Sequence, residues 1–264
     1  MDVQTLMNRK LQEGLSPKTV RYIRGTLRTA FNQAIKWDLL TRNAAARAEP
    51  PRLQPYSIQP LAPDEARRFL AAIRGDRLEA LYSVALTMGL RQGEALGLRW
   101  SDVDEQRGYL RVTNQLQRVD SRLILVEPKT KGSRRTLVMP ATIAAGIRNH
   151  HQRQLVERVA AGSRWMDMDL VFATNIGRPL EGSTVTRRFH QLLDGAGIPQ
   201  RRFHDLRHSC ATLLLVQGVS PRVVMEFLGH TEIGTTMNTY SHIVPELRRE
   251  AADRMDDMIS GRER

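Results

Sequence analysis

Residues 109–138, YLRVTNQLQRVDSRLILVEPKTKGSRRTLV, decide the fold class because they break an otherwise helical pattern. Leu110 and Val112 alternate with polar neighbours, and Leu123, Leu125 and Leu137 keep the same two-residue period. That alternation predicts two or three short antiparallel strands joined by polar turns. On both sides the apolar spacing returns to that of helices. Residues 63–74 and 77–88 carry it upstream, the second with Leu78, Leu81, Val84, Ala85 and Met88 as its buried stripe. Downstream it recurs in residues 141–159, 183–194, 203–217 and 221–228. The expected fold is mainly α with a small antiparallel β-sheet (α+β).

Further towards the N-terminus the composition changes. Pro50, Pro51, Pro55 and Pro60 crowd residues 49–60, fixing φ and removing backbone donors, so no helix runs through. The chain therefore reads as two domains: a small helical N-terminal unit over residues 1–48, a Pro-rich linker over 49–60, and a larger domain over 61–264. In the small unit Ser16-Pro17 is a helix start, an N-cap followed by proline at the first helical position. Val20, Ile23, Leu27, Ala30, Phe31 and Ala34 then recur at helical spacing and are expected to face a core. Lys18, Arg21, Arg24 and Arg28 occupy a neighbouring face. A basic helix face is often merely solvated, but the charge of the whole chain favours phosphate contact. Residues 243–264, with Leu247, Met255 and Met258, read as a tail helix that packs on its own domain or on a neighbouring subunit.

The charge is the unusual feature of the composition. Forty Lys and Arg against 28 Asp and Glu leave the 264-residue chain at +12, a field that suits a polyanion. Nucleic acid is the leading partner and an anionic membrane the second. No stretch approaches the roughly 18 apolar residues that a spanning helix needs, and residues 1–10 hold no apolar run of a signal peptide. Cys210 is the single cysteine, so no internal disulfide and no Cys-rich zinc module can form. A cytoplasmic protein that meets nucleic acid is the expectation.

Four segments hold side chains with chemistry. Arg91 follows a helix stop at Gly89, with Glu94 within helical reach to hold it or to form a plain surface pair. Lys129 and Lys131 flank Thr130 before Gly132. His204 and Arg207, three apart, share one helix face and set an acid–base group beside an anion-binding one. His230 follows a Leu-Gly step, and Tyr240 stands in the polar run Asn238–His242 with its hydroxyl free to face something other than a core. His204, Asp205 and His208 also resemble a zinc-protease H-E-x-x-H. Asp is one methylene shorter than Glu and no third-ligand motif follows, so no metal is expected. Together the segments supply two guanidiniums, two imidazoles, lysines and a phenol. Phosphoryl transfer without metal needs such an inventory: cations for the charge growing on equatorial oxygens, an acid for the leaving oxygen, and a nucleophile.

The ordered set Arg91, Lys131, His204-x-x-Arg207, His230 and Tyr240 resembles the catalytic signature of the tyrosine recombinase family, in particular phage-type integrases. GLRQGEALGLRWSDVD at 89–104, PKTKGSRRT at 128–136, FHDLRHSCATLL at 203–214 and LGHTEIGTTMNTYSHI at 228–243 carry the likeness. Residues 14–20 and 37–43 resemble the latter part of the family's core-binding domain. The resemblance implies that residues 61–264 are a catalytic domain and residues 1–48 part of a core-binding domain trimmed at its first helix, without an arm-site-binding domain. It implies a site-specific DNA recombinase that integrates or excises a phage or mobile element. Tyr240 would attack a phosphate, forming a 3′-phosphotyrosyl link and freeing a 5′-hydroxyl. Arg91 and Arg207 would bind the non-bridging oxygens, His204 would assist proton movement, and His230 would donate to the phosphate. Lys131 would be the general acid, preferred to Lys129 because it precedes the Gly turn as in related sequences. The bond energy stays in the covalent link, so no cofactor is implied. The implied partners are double-stranded DNA, a homotetramer on two duplexes, and accessory DNA-bending or directionality factors, with no membrane. A type IB-like topoisomerase and a catalytically silent DNA-binding regulator are the alternatives.

Overall fold

The computed structural model describes residues 2–53, 58–128, 133–229, 255 and 260. The chain divides into two compact units, Met1–Ser57 and Ile58–Arg264.

In the first unit, α1 (Val3–Gln12), α2 (Pro17–Lys36) and α3 (Ala44–Arg47) are each started by a polar N-cap. Asp2 accepts from the Thr5 amide at 2.7 Å, Ser16 from Thr19 at 3.2 Å and Asn43 from Ala46 at 3.1 Å, satisfying donors that have no partner inside the helix. The Asn43 amide also donates to Arg28 O and Asn32 Oδ1, bolting α3 to α2. Val3, Met7, Val20, Ala45 and Ala48 form the buried cluster, with Leu11, Leu15, Leu27 and Phe31 against it. The expected apolar stripe of α2 is covered only in part: Val20 is buried, Ile23, Leu27, Phe31 and Ala34 are half-buried, and Ala30 is exposed. The reason is length. Helices of 10 and 4 residues cannot blanket one of 20.

The second unit starts with α4 (Pro63–Ala72), α5 (Glu79–Thr87) and α6 (Gln92–Leu96). Five strands follow: β1 (Val103–Asp104), β2 (Tyr109–Val112), β3 (Gln115–Val119), β4 (Arg122–Val126) and β5 (Arg135–Val138). Then come α7 (Ala141–Ala161), α8 (Gly182–Gly195), α9 (His204–Val216) and α10 (Pro221–Leu228). The fold is mainly helical with small antiparallel sheets. Phe69 of α4, Tyr82 of α5, Phe189 of α8 and Phe203 at the start of α9 meet ring to ring, with centroids 5.4–6.2 Å apart. The Tyr82 hydroxyl donates to Val185 O at 2.9 Å, so its one polar atom is satisfied inside the core.

The strands form two sheets rather than the single one expected. One has the order β1-β2-β5, pairing Leu110 with Leu137 on its buried face; the other is the ribbon β3-β4, inserted in sequence between β2 and β5. Residues 115–119, QLQRV, escape a reading by alternation because Leu116 is their single buried side chain. Their turn, Asp120-Ser121, has two positive φ angles (46° and 64°) but no glycine to advertise them. The ribbon lies against α6 at Gly97, where a Cβ would meet Leu116 N at 2.6 Å and the Gln115 carbonyl carbon at 2.7 Å. Only glycine fits there.

Helix α7 is held to the same unit by polar groups. His150 donates from Nε2 to Val171 O at 2.7 Å and accepts at Nδ1 from Arg153 at 3.1 Å, the tautomer that satisfies both ring nitrogens. Gln154 donates to Leu170 O and Val171 O and accepts from Trp100 Nε1. No helix among the described residues is long and apolar enough to cross a membrane.

Burial pushes the His150 pKa down from 6.5 to about 4, with the Arg153 charge adding to it. Between those values the unfolded chain holds a proton that the native one does not. Stability is therefore full above pH 6.5 and lost as the pH falls toward 4. Melts between pH 7 and pH 4.5 should show a falling Tm, and the fall should be shallower in His150→Gln. Parallel curves for the two proteins would exclude His150 as a source of the acid sensitivity.

Candidate active site

Helix α5 ends at Thr87, and the chain reverses at Gly89, whose φ of +62° is open to glycine. A Cβ there would lie 2.3 Å from Leu228 Cδ2, so glycine also lets the end of α10 close onto this corner. Two residues on, Arg91 is the N-cap of α6. Glu94, one turn into α6, is 2% exposed and holds Arg91 twice, accepting from its amide at 3.0 Å and from Nη1 at 2.6 Å. Of the two readings that spacing allowed for Glu94, the holding role is the observed one. The Arg91 side chain remains 36% exposed.

Two more guanidiniums converge on the same carboxylate. Arg135 Nη2 on β5 donates to Glu94 Oε2 at 3.0 Å, and Arg207 Nη1 on α9 lies 4.0 Å from it. Arg207 is 1% exposed. Its Nη1 donates to Gly89 O at 2.7 Å and its Nη2 to Leu228 O at 2.5 Å. It thus lies where α5 and α10 both end, next to carbonyls without intrahelical donors and the negative ends of two helix dipoles. Burial, then the Arg91 charge, pushes its pKa down to about 9, and the guanidinium remains charged at neutral pH. Burial would raise the Glu94 pKa, but the charge and hydrogen bond of Arg135 and the amide and charge of Arg91 outweigh it and hold the carboxyl below its ordinary range.

His204 is the first residue of α9, and its side chain reaches solvent. Partial burial, followed by the charges of Arg207, Arg91 and Arg202, lowers its pKa, so the imidazole is neutral at pH 7. Asp205 beside it is 1% exposed and accepts from Arg202 N and Nη2, both at 2.9 Å, fixing the start of α9. The His208 ring packs edge-on against that of His204, with centroids 4.9 Å apart. Among the described residues no group of three or more His, Cys, Asp and Glu is placed to hold a metal ion.

An open cleft of about 320 Å³ borders the cluster, lined by Arg91, Glu94, Gln115, Leu116, Gln117, Pro128 and Ser133. Pro128 and Ser133 are the residues on either side of 129–132. The structure thus brings Arg91, His204 and Arg207 into one electrostatic neighbourhood. Lys129, Lys131, His230 and Tyr240 lie outside the described residues. Of the four basic residues on α2, Lys18, Arg21 and Arg28 are exposed. Arg24 instead donates to Ala48 O at 2.8 Å and Ala46 O at 3.3 Å, where α3 ends. Arg135 was not among the residues expected from spacing. The signal for it is an arginine two positions before Leu137, on the inward face of a strand.

Replacing Glu94 by Gln removes the one negative charge that Arg91, Arg135 and Arg207 share. Breaking a buried pair in this way costs about 3–5 kcal/mol. Urea denaturation of Glu94→Gln should show that loss as a lower midpoint at unchanged slope, and a loss below about 1 kcal/mol would mean that the arginines are solvated well enough without it.

Comparison with known proteins gives the family and the fold. Residues 59–246 match the model of the phage integrase family. A XerC-like tyrosine recombinase of Caldanaerobacter subterraneus subsp. tengcongensis is 32% identical over 277 residues, covering 98% of this chain and 71% of the relative. The ICEBs1 integrase of Bacillus subtilis is 27% identical over 268 residues, covering 98% and 73%. Among solved structures, the Tn1549 transposon integrase in complex with transposon right end DNA superposes with a TM-score of 0.75 at 24% identity, covering 96% of this chain and 84% of that one. A lambda integrase dimer bound to a COC′ core site gives 0.60 at 23% identity, covering 90% and 77%. These two likenesses speak for the fold, and the family match and the XerC-like relative speak for descent: the chain belongs to the phage integrase family, the tyrosine recombinases.

Proposed function

We propose that this protein cuts and rejoins DNA at specific sites through a 3′-phosphotyrosyl intermediate, with Tyr240 as nucleophile. The reading rests above all on one observation: Arg91 and Arg207, distant in sequence, meet around the buried carboxylate of Glu94 with His204 in their field, at the end of α10, the helix from which the chain runs on to His230 and Tyr240.

The chemistry follows from the charges. Attack by a phenolate on a phosphodiester builds negative charge on the non-bridging oxygens, and cations fixed beforehand stabilise it without reorganising. Arg91, partly exposed beside the cleft, donates to one such oxygen. Arg207 supplies the second guanidinium; five N–H donors let it hold two carbonyls and still reach a phosphate. Each such donor is worth on the order of 10²–10³ in rate. His204, kept neutral by its surroundings, can take up or pass on a proton near pH 7. His230 donates to the phosphate, and Lys131 protonates the departing 5′-oxygen, worth roughly 10²–10⁴. Because the phosphotyrosyl bond keeps the energy of the bond it replaces, attack by a 5′-hydroxyl of a second strand reverses the step and completes exchange.

The partner is double-stranded DNA, met by a chain of net charge +12. Lys18, Arg21 and Arg28, exposed on α2, make phosphate contacts in the N-terminal core-binding unit, while Arg24 serves α3. Four protomers on two duplexes, assisted by DNA-bending or directionality factors, integrate or excise a mobile element or phage.

On a nicked suicide substrate the wild-type protein should accumulate a covalent adduct, whereas Tyr240→Phe should bind the same DNA and form none. An adduct at undiminished yield in that variant would overturn the assignment. Lys131→Ala should slow cleavage of ordinary DNA far more than cleavage of DNA with sulfur at the 5′-bridging position, since a thiolate leaves without an acid. Equal slowing on both would remove Lys131 from the role, and the same pattern in Lys129→Ala would transfer it.

A further inference from the structure

Arg135 is the guanidinium of the cluster to which the proposed chemistry gives no part. Its side chain is 7% exposed, it does not line the cleft, and it stands on the face of β5 that buries Leu137. Nε donates to Phe227 O at 3.0 Å, Nη2 to Glu94 Oε2 at 3.0 Å and Nη1 to Ser133 O at 3.3 Å. Through one rigid plane it therefore joins α6, β5 with the residue following 129–132, and the last turn of α10.

The contact with α10 has a specific consequence. Phe227 O and Leu228 O belong to the last helical turn, where carbonyls have no donor within the helix. Arg135 takes the first and Arg207 the second. Two guanidiniums thus grip consecutive carbonyls, and Gly229, at φ +68°, is the residue that precedes His230 in the sequence. The orientation of that last helical turn sets where the following residues begin. We propose that Arg135 is a positioning residue for strand cleavage, which locks the end of α10 to Glu94 and β5 and thereby aligns the nucleophile-bearing segment with the arginines that receive the phosphate. This rests on the reading of Tyr240 given above.

A lysine at 135 keeps the charge opposite Glu94 but has no planar fork to hold Phe227 O at the same time. A neutral glutamine loses both. Displacing a reacting group by about 1 Å from its productive position costs up to roughly 10²-fold in rate. A merely structural residue would lower the fraction of active protein and leave the rate constant of the folded molecules alone.

Single-turnover cleavage of a suicide substrate at saturating DNA separates these cases. For Arg135→Gln the rate constant should fall about 10- to 100-fold with DNA affinity unchanged, and equally on ordinary and 5′-bridging-sulfur DNA, because the nucleophile and not the acid is misplaced. Arg135→Lys should recover thermal stability toward wild type while its rate constant stays about 10-fold or more down. The inference is overturned by a wild-type rate constant with reduced amplitude alone, by full-rate cleavage in Arg135→Lys, or by rescue on the sulfur substrate. If Arg135→Gln does not fold, Arg135→Lys decides. Wild-type protein that forms no adduct would instead sink the reading of Tyr240, and this inference with it.

Discussion

The buried carboxylate of Glu94 is the constraint around which the arginine cluster of the second unit is arranged. Three guanidiniums on α6 and its cap, on β5 and on α9 lie within 4.0 Å of it. Charges of one sign cannot share a low-dielectric interior without a counter-charge, and here a single carboxylate on a five-residue helix supplies it. Those elements must then meet where α6 is. The corner at Gly89 lets α10 approach to contact distance, so that Arg207 can reach carbonyls at the ends of α5 and α10 together. Helix ends that elsewhere would be capped by side chains or water are capped here by the site itself.

The balance within this cluster is deliberately incomplete. Among the described residues three arginines share one glutamate, and the Arg91 charge adds to burial in lowering the pKa of Arg207, while the charges of Arg207 and Arg91 add to it for His204. Cations fixed in this way stabilise an anion, and a phosphate gaining charge more than a phosphate at rest. The same field keeps His204 neutral, and a neutral imidazole can accept a proton where an imidazolium cannot. The aromatic core of Phe69, Tyr82, Phe189 and Phe203 is by contrast apolar except for one hydroxyl, which is satisfied.

How much could be read from the sequence differs between these two kinds of structure. Helices announce themselves locally: Ser16-Pro17 caps and starts α2 as expected, and α4, α7, α8, α9 and α10 begin within a residue of where apolar spacing places them. β3 does not, since a ribbon with one buried side chain carries almost no alternation, and its turn needs positive φ at Asp and Ser rather than at glycine. Arg91, His204 and Arg207 were legible as a set through their likeness to the family's signature. The burial of Glu94 and Arg135 was not, because a charged residue reads as solvent-facing until its partner is known, and these partners are 41 residues apart. The readings of Lys131, His230 and Tyr240 rest on sequence spacing and on the family's signature.

The long-range contacts of Arg135 and Arg207 in the second unit contrast with the exposed basic face of α2 in the first. Arg207 closes spans of 118 and 21 residues, and Arg135 closes spans of 41 and 92. Of the elements so joined, α9 and α10 follow one another through a short turn, whereas α6, β5 and α10 are distant in sequence. Their relative placement therefore depends on the guanidinium contacts and on the packing of Leu228 against Gly89 and Cys210. A cation that contacts a phosphate backbone tolerates shifts of an ångström, because that backbone is a repeating and forgiving target. A nucleophile does not, since in-line attack fails over the same distance. Lys18, Arg21 and Arg28 stand exposed on α2, while the arginines that bind the end of α10 are buried, forked and satisfied at more than one donor.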